Sequence, residues 1–543
     1  MLKKSQLAAS LIVAIAIPSF ALAQDVSWHV VLGSNANISA PGLPAANRYF
    51  TDSQIADVGK DYIGARLTSP DAAAGYWALN QGTWVQYSKI GVTGAGMGPA
   101  RSGAEAEHVF LAVNSGGSDA GSDGQRALIG RAGDPADATT TTWGVWRWNA
   151  VQNIEVARGL TDGILGPNLG SNWVYQNNGS AFQSARVMNN GQTLISAYVT
   201  SPSAQSRKYI ARSAPGQAVT PCVMSNSTDV ALAPGLDPGD YFDPSWGLNA
   251  ISHTADGRVY GVLYTNQSRD GIWRLCDGAP TALVVDNETG LRGPDIGVAT
   301  ATFQSFNPVH PGIGNAFYFF ASYRPLSNDV SRAGLFWHDG ASNRPLALND
   351  VTNFYGPGWN DAIWRSFDKS SLVSAGEWTA FQGSVEATDG GTPSGLWRVR
   401  AGGTPELVAL IGLTGQYGPE PNRTWDTFYA TAILANGDII AQARTQPGSE
   451  VALWRLKKDG TKQRILKVGQ VVTVPTNSGV IQGSISSYEV PNGPAAYSRG
   501  GDSWIGADGS LLIRANLTTY GSALIAATLV NPIDKIYSNG FDE

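Results

Sequence analysis

The stretch Gly395-Leu396-Trp397-Arg398, followed by Glu406-Leu407-Val408-Ala409-Leu410-Ile411-Gly412, is one copy of a unit that recurs along almost the whole chain. Each copy has a short strand with an aromatic residue, usually followed by Arg, and then a turn and an apolar strand. Aromatic and β-branched residues favour strands. The unit therefore predicts an all-β protein. Related copies are Gly144-Val145-Trp146-Arg147, Gly271-Ile272-Trp273-Arg274, Gly334-Leu335-Phe336-Trp337 and Ala452-Leu453-Trp454-Arg455.

Each unit also has an upstream half, in which a polar turn that ends in Gly precedes an apolar strand. Met188-Asn189-Asn190-Gly191 precedes the strand at residues 193–198, and Leu434-Ala435-Asn436-Gly437 precedes the strand at residues 439–443. Asn-Gly between apolar strands is a strong hairpin signal, because both central turn residues need a positive φ. Each unit therefore predicts four antiparallel strands.

The aromatic position of the third strand recurs with a period of roughly 60 residues, and four-stranded units at such a period are typical of β-propeller blades. Eight positions predict a single all-β propeller of eight four-stranded blades over residues 24–530. Seven blades stay open as the alternative, for the case that the first or the second unit is degenerate. The positions are Trp77, Trp146, Tyr209, Trp273, Phe336, Trp397, Trp454 and Ile525.

The two ends of the repeat region complement each other. Residues 28–33 match a fourth strand with no blade before it, and Ala523-Leu524-Ile525 matches a third strand with no clear fourth strand after it. We predict that residues 28–33 pair with residues 522–529 and complete the last blade, because this pairing hides two strand edges. Residues 113–142 are rich in Gly, Ser, Asp and Thr and are predicted to be a polar loop insertion.

The first residues have the pattern of a cleaved signal peptide. Lys3 and Lys4 precede an apolar run that ends at the small-residue cleavage site Ala21-Leu22-Ala23. A membrane anchor is the alternative, but the run is short for a membrane span. We therefore predict a signal peptide at residues 1–23, export, and no transmembrane segment in the mature chain.

Cys222 and Cys276 are the only cysteines. A lone pair in an exported protein usually forms one disulfide, which we predict here on adjacent blades, with two buried free thiols as the alternative. Charged residues are scarce at 15% and the net charge is -6, with no basic block. Phosphate binding needs clustered Lys and Arg, so the composition argues against nucleic acid as a partner. We expect a monomer with no cofactor.

The repeats resemble those of exported bacterial tandem-repeat proteins that are named for an Asn-x-x-Gly-x-x-x-Ala-Phe motif, the choice-of-anchor type. The resemblance rests on the hairpins described above, covers most of residues 24–530, and reaches an Ala-Phe ending only at Glu377-Trp378-Thr379-Ala380-Phe381. The tail at residues 531–543 resembles the Asp-x-Ile-Phe-x-x-Gly-Phe-Glu endings of exported Gram-negative proteins, with Tyr537 in place of Phe. The resemblance implies a secreted or outer-surface location and a sorting or anchoring tag.

Candidate ligand residues lie in the long segments between one unit and the next. Trp beside Asp, Asn and Arg suits sugars, because the ring covers a pyranose face and polar neighbours bond its hydroxyls. The alternative is that these Trp side chains pack between blades; those within the strand motifs are expected to be core, with their Arg stems over blade edges. The candidates are Trp359, Asp361, Trp364, Arg365, Arg423, Trp425, Asp426, Asp243 and Trp246.

Catalytic signals are weak, and the sequence identifies no catalytic residue. The five His are never at metal-ligand spacing, so no metal site is predicted. Asp243, Asp361, Glu420 or Asp426 could supply the carboxylates of a glycoside hydrolase, and Arg365 or Arg423 could neutralise a uronate in a lyase. We therefore expect a protein that binds a carbohydrate or a protein partner. The alternative is an extracellular polysaccharide-degrading enzyme with its site at the channel mouth.

Overall fold

A computed structural model of the chain describes residues 26–33, 50–59, 62–67, 74–80, 83–94, 96–115, 117–118, 125–188, 190–214, 216–245, 251–254, 257–307, 309–326, 329–349, 351–352, 354–476, 479–490, 505 and 509–529. The predicted signal peptide (residues 1–23), the C-terminal tail (residues 531–543) and Trp246 lie outside these residues.

Strands dominate the described residues and form eight sheets, which we number in chain order. In sheets 1 to 7, four strands follow one another as antiparallel neighbours, as the repeat predicts. In the part of the chain that the structure describes, five short 3-10 turns lie between strands, at Gly103–Glu105, Ala138–Thr140, Gly163–Leu165, Gly290–Arg292 and Gly415–Tyr417. The strands of the first three sheets are β2 (Phe50–Gly59), β3 (Tyr62–Leu67), β4 (Ala74–Asn80) and β5 (Thr83–Lys89) in sheet 1; β6 (Val109–Ser115), β8 (Arg126–Gly133), β9 (Thr142–Trp148) and β10 (Asn153–Arg158) in sheet 2; and β7 (Gly117–Ser118), β11 (Val174–Tyr175), β12 (Phe182–Val187), β13 (Thr193–Thr200), β14 (Ser206–Ser213) and β15 (Thr220–Met224) in sheet 3. The strands of the next three sheets are β16 (Ile251–His253), β17 (Val259–Tyr264), β18 (Asp270–Leu275) and β19 (Thr281–Val285) in sheet 4; β20 (Thr302–Phe306), β21 (His310–Pro311), β22 (Phe317–Arg324), β23 (Arg332–His338) and β24 (Asn343–Leu348) in sheet 5; and β25 (Ile363–Ala375), β26 (Trp378–Glu386), β27 (Ser394–Arg400) and β28 (Glu406–Leu410) in sheet 6. The strands of the last two sheets are β29 (Thr424–Ile433), β30 (Ile439–Gln446), β31 (Glu450–Leu456) and β32 (Lys462–Lys467) in sheet 7, and β1 (His29–Gly33), β33 (Val471–Thr476), β34 (Gly479–Glu489), β35 (Ser510–Leu517) and β36 (Gly521–Thr528) in sheet 8.

The aromatic residue of the third strand is buried against the neighbouring sheet. Trp397 is fully buried in a cluster that joins Phe381 of its own sheet to Phe320 and Leu335 of sheet 5. Its neighbour two residues back must be small, because a Cβ at Gly395 would lie 2.6 Å from the carbonyl oxygen of Ala409 and 3.0 Å from the Trp397 ring. The Gly-x-Trp pattern therefore reflects a close approach of the ring to its own backbone.

A bulge beside the third strand fixes the register of each unit. The pairing with the fourth strand shifts at Trp273, Trp397 and Trp454 in the same way. In sheet 3 the shift falls at Ala211 and not at Tyr209, so the register predicted for Tyr209 is wrong by two residues. Ala211 occupies the Trp position and Tyr209 the Gly position, so the large side chain and the small one have changed places.

The first strand completes the last sheet, as predicted. β1 pairs antiparallel with β36 through Val30 opposite Ile525 and Gly33 opposite Ala523. A further strand that the sequence analysis did not predict, β33, pairs with β34 and also lies parallel to β1 through His29 opposite Thr473. These five strands close into a small barrel around an apolar core.

Contacts link the sheets in a closed cycle. β4 contacts β6, β8 contacts β12, β16 contacts β21, β21 contacts β25 and β25 contacts β29. The disulfide joins sheets 3 and 4, Trp28 joins sheet 8 to Ile465 of sheet 7, and β2 of sheet 1 contacts β35 of sheet 8. Four-stranded antiparallel sheets linked in this way fit a β-propeller.

The polar insertion predicted at residues 113–142 is wrong in its second half. Residues 126–133 form β8, which is buried at Ala127, Leu128 and Ile129 and supplies the second strand of sheet 2. The composition of the whole segment concealed a short apolar core. β7, from the first half, pairs parallel with β12 of sheet 3 through Gly117 opposite Arg186.

The predicted disulfide is present. Cys222 lies on β15 and Cys276 follows β18, and their Cα atoms are 4.4 Å apart. Both residues are buried, so the free-thiol alternative is excluded. Within the described part of the chain, there is no helix with the length and apolar character of a membrane span.

Candidate functional site

The loops that lead into sheets 2, 3, 4 and 6 are attached to the core by aromatic residues of the third strands. Trp397 Nε1 donates to the carbonyl oxygen of Pro357 at 3.0 Å, and Trp273 Nε1 to that of Pro234 at 3.1 Å. A buried indole N–H needs such a partner. The same contact therefore recurs, and the proline part of these loops serves the core. Further examples are Trp146 to Pro99 and the Tyr209 hydroxyl to Pro167.

Two of the predicted ligand residues belong to the core. Trp364 on β25 is 0% exposed and Trp425 on β29 is 1% exposed. Their Nε1 atoms donate to the carbonyl oxygens of Tyr355 and Tyr417, at 2.9 and 2.8 Å. The surface contacts predicted for these two side chains are therefore wrong, and the alternative of packing describes them correctly. The reason is strand register, since both residues point inward at the beginning of a first strand.

The remaining candidates of sheet 6 form one surface, which we call the Trp359 loop and define as residues 354–365. Trp359 is partly buried and packs on the cluster that contains Trp364, while Asn360, Asp361 and Arg365 are exposed. Phe354, at the other end of the loop, is 52% exposed. Trp359 and Asp361 therefore lie at the tip of this loop, and Arg365 lies at its end on β25.

The backbone of this loop is strained at its tip. Asn360 and Asp361 have φ values of 44° and 54°, in the left-handed region that residues with a Cβ rarely adopt. Such strain costs of order 1–3 kcal/mol per residue and persists where the surroundings hold it. Here, the indole N–H groups of Trp364 and Trp397 hold the loop from below. The loop therefore presents its polar side chains from a fixed backbone.

The candidates of sheet 7 are neutralised within their own sheet. Arg423 Nη1 lies 2.6 Å from Glu450 Oε2, and Arg464 Nη1 lies 2.9 Å from Glu450 Oε1. The Glu450 carboxylate raises the pKa of Arg423. Asp426 forms an ion pair with Arg444. These charges are already matched, so they offer little to an incoming ion.

Asp243 is separate from both groups. Hydrogen bonds from the Ser245 side chain and from the Ser245 backbone N–H, the second at 2.7 Å, lower the pKa of Asp243. Among the residues that the structure describes, no hydrogen bond or ion pair joins Asp243 to the Trp359 loop or to Arg423. The predicted residues are therefore not one constellation.

The sequence analysis missed a pair of carboxylates in sheet 4. Asp286 follows β19 and accepts a hydrogen bond from the Asp270 backbone N–H at 3.1 Å. Burial, together with the neighbouring charge of Asp270, raises the pKa of Asp286 to about 6, and burial also raises the pKa of Asp270. The repeat contained the information needed to find this pair. Gly271 pairs with Val285, so Asp270, one residue before Gly271, lies beside Asp286, one residue after Val285.

We expect the stability of the protein to fall as pH rises from about 4 to about 6, because of Asp286. In this window folded Asp286 keeps a proton that the unfolded chain has released, so deprotonation favours unfolding. The difference between the pKa of Asp286 in the folded and the unfolded chain corresponds to a change of about 3 kcal/mol at most in the free energy of unfolding. In urea unfolding at pH 4 and pH 8, Asp286→Asn should lose most of this difference. Equal pH dependence in both proteins would contradict the assignment.

Within the described residues, no group of three His, Cys, Asp or Glu side chains is arranged to hold a metal ion. The candidate site is the aromatic and polar Trp359 loop, which offers hydrogen-bonding groups and a ring face.

No protein-family model and no curated protein matches the chain. Among solved structures, it is similar to the β-propeller domain of the Trilobed protease from Pyrococcus furiosus, at 9% identity and a TM-score of 0.33 over 79% of this chain and 98% of that one. B. megaterium levansucrase is similar at 12% identity and a TM-score of 0.19, over 56% of this chain and 85% of that one. Pyrococcus horikoshii acylaminoacyl peptidase is similar at 8% identity and a TM-score of 0.31, over 80% of this chain and 54% of that one. These values are too low to transfer a fold or a function, so both rest on the chain's own sheets and loops.

Proposed function

We propose that this chain is an exported β-propeller of eight blades, one for each sheet, and that its Trp359 loop binds carbohydrate. The proposal includes a secreted or outer-surface location in a Gram-negative bacterium and membership of the exported tandem-repeat proteins that the hairpins resemble. A protein partner at the same loop is an outcome that the binding experiment distinguishes.

The observation that carries the proposal is the strained pair Asn360 and Asp361 beside a partly exposed indole. An amide and a carboxylate can bond to sugar hydroxyls while the Trp359 ring covers an apolar sugar face. Arg365 adds a cation at the base of the loop, which suits an acidic sugar. Because the backbone is held by two buried indoles, little ordering entropy is lost on binding.

The test is a binding screen of the mature protein against bacterial, algal and plant polysaccharides. For a glycan that binds, Trp359→Ala should weaken the affinity at least tenfold, or about 1.4 kcal/mol. Because the ring packs on the core, thermal stability should fall modestly, as it should for the control variant. Trp173→Ala is the matched control, because Trp173 is a partly buried loop tryptophan of a different sheet, and it should bind like wild type. Replacement of Trp364 or Trp425 is unsuitable, since both are core residues.

Two results would overturn the carbohydrate proposal. One is unchanged affinity of Trp359→Ala for every glycan that binds. The other is the absence of glycan binding together with capture of a surface protein that Trp359→Ala abolishes, which would assign the loop to a protein partner.

The alternative is a polysaccharide-degrading enzyme, and one observation favours it. Burial and the neighbouring Asp270 carboxylate raise the pKa of Asp286 to about 6, which is the direction that a general acid requires. The same screen reads reducing ends and unsaturated uronates after incubation with each polysaccharide. If product forms and Asp286→Asn abolishes its formation, the binding proposal would be replaced by the enzyme alternative. If a glycan binds and yields no product, catalysis on that glycan would be excluded.

A further inference from the structure

A cleft of about 90 Å³ lies between sheets 2 and 3, away from the Trp359 loop. This volume has room for several waters or for a ligand of a few heavy atoms. Apolar side chains line one side, from Ile154 and Val156 of sheet 2 and from Ile164 and Leu165 of the 3-10 turn that follows it. The polar side chains of the lining are Arg147, Glu155, Thr193, Ser213 and Gln217.

Two of these polar side chains, Arg147 and Thr193, have a buried atom without a partner among the described residues. Arg147 is 6% exposed, and its Nε and Nη2 donate to Gln125 Oε1, while Nη1 has no hydrogen-bond partner among the described residues. Thr193 is 0% exposed, and its Oγ1 also lacks a partner within this described set. A buried unpaired polar group costs about 1–3 kcal/mol, and more when charged. Two such atoms on one cleft indicate a place for a ligand.

The repeat provides an internal comparison for Arg147. The equivalent Arg398 lies opposite Glu406 across the strand pair, at 2.8 Å, and also donates to the carbonyl oxygen of Gly437 in the next sheet. In sheet 2 the residue opposite Arg147 is Ile154. The Arg147 guanidinium therefore lacks the facing carboxylate that Arg398 has, in an otherwise equivalent cleft between sheets.

In the same cleft, Thr193 is a polar residue at a second-strand position where other units have an apolar one. The equivalent residue is Val259 in sheet 4 and Ile439 in sheet 7, both fully buried. Thr379 of sheet 6 is also a threonine, but its hydroxyl donates to the carbonyl oxygen of Val373 at 2.8 Å. A hydroxyl without such a partner occurs at the cleft that also contains the uncompensated Arg147.

The charge around the cleft favours an anion. Glu155 also lines it, but its two oxygens are bonded to Arg101 and to Arg158, at 2.8 and 2.5 Å. Arg158 is shared with Glu105. Three guanidinium groups thus face two carboxylates, and the excess positive charge is that of Arg147.

We propose that this cleft binds a short-chain aliphatic carboxylate, with its oxygens on Arg147 and Thr193 and its chain against the apolar side chains of sheet 2. Guanidinium to carboxylate is the strongest hydrogen-bonded pair that this site can form. The Thr193 hydroxyl donates to the same group, and an aliphatic chain of two or three carbons fills the rest of the volume.

The test is a titration of the full chain with propionate and, as the neutral isostere, propionamide, followed by ligand-observed NMR and calorimetry. Propionate should bind at least tenfold more tightly than propionamide. Ile154→Glu should abolish binding without loss of stability, because it supplies the carboxylate that Glu406 supplies to Arg398. Thr193→Val should weaken binding about threefold or more. Lys462→Met in the equivalent cleft of sheets 6 and 7 removes one positive charge elsewhere and should bind like wild type.

Equal affinity for propionate and propionamide would overturn the proposal, as would propionate binding that survives Ile154→Glu. The absence of propionate binding would mean that the cleft holds only water. Trp359→Ala should leave propionate binding unchanged, so this inference and the carbohydrate proposal succeed or fail separately.

Discussion

Replacement of Trp28 by Ala should lower the free energy of unfolding by about 3–5 kcal/mol, as is typical when a large aromatic residue is removed from a core. Trp28 is 2% exposed and precedes β1, whose pairing with β36 joins the chain ends. Its Nε1 donates to the carbonyl oxygen of Ile465 in sheet 7 at 2.7 Å. Urea unfolding, followed by tryptophan fluorescence and circular dichroism, measures the loss.

The control for this change is Trp28→Phe, which keeps most of the ring and removes the hydrogen bond. It should cost about 1–3 kcal/mol, the usual cost of an unsatisfied buried carbonyl. If Trp28→Ala unfolds at the wild-type urea concentration, the first strand does not contribute to the closure of the cycle.

Replacement of Arg455 by Met should cost about 3–5 kcal/mol, because it leaves a buried carboxylate without its partner. Arg455 and Asp438 are 2.7 Å apart, with side-chain exposures of 8% and 6%. Arg455 Nη1 also donates to the carbonyl oxygen of Leu529 at 2.6 Å and so joins sheet 7 to the end of sheet 8. The urea midpoint and the thermal unfolding temperature both report the loss.

Arg400→Met provides the matched control. Arg400 pairs with Glu377 at the surface, with side-chain exposures of 58% and 44%. An exposed ion pair contributes about 0–1 kcal/mol, so this variant should remain close to wild type. Equal losses from Arg400→Met and Arg455→Met would mean that burial of the Arg455 pair has no special role.

Local pattern was sufficient for much of the fold. Gly395 and Trp397 identify a third strand, because the ring needs a small residue two positions before it. The hairpin at Asn436-Gly437 identifies the strand that follows. The disulfide between Cys222 and Cys276 followed from their being the lone pair of cysteines, and the pairing of β1 with β36 followed from counting strands within the repeat.

The candidate site was predicted less well, because side-chain direction depends on register and on neighbouring sheets. Trp359 and Trp364 are five residues apart, yet one meets solvent and the other fills the core. Asp270 and Asp286 are distant in sequence and become a coupled pair only through the pairing of β18 with β19. Likewise, Tyr209 took the Gly position because a bulge at Ala211 sets the register.

The sequence by itself determined the all-β repeat, the four strands of each unit, the disulfide and the completion of the last sheet by the first strand. These features depend on residue spacing and on turn chemistry, which are local. Only the tertiary structure decided which tryptophans are exposed, that β33 closes a barrel with β1, and that Arg147 meets Ile154 where its counterpart meets a carboxylate. Such features arise from the packing of one sheet on the next, where a single change of register or partner alters which atoms remain unpaired.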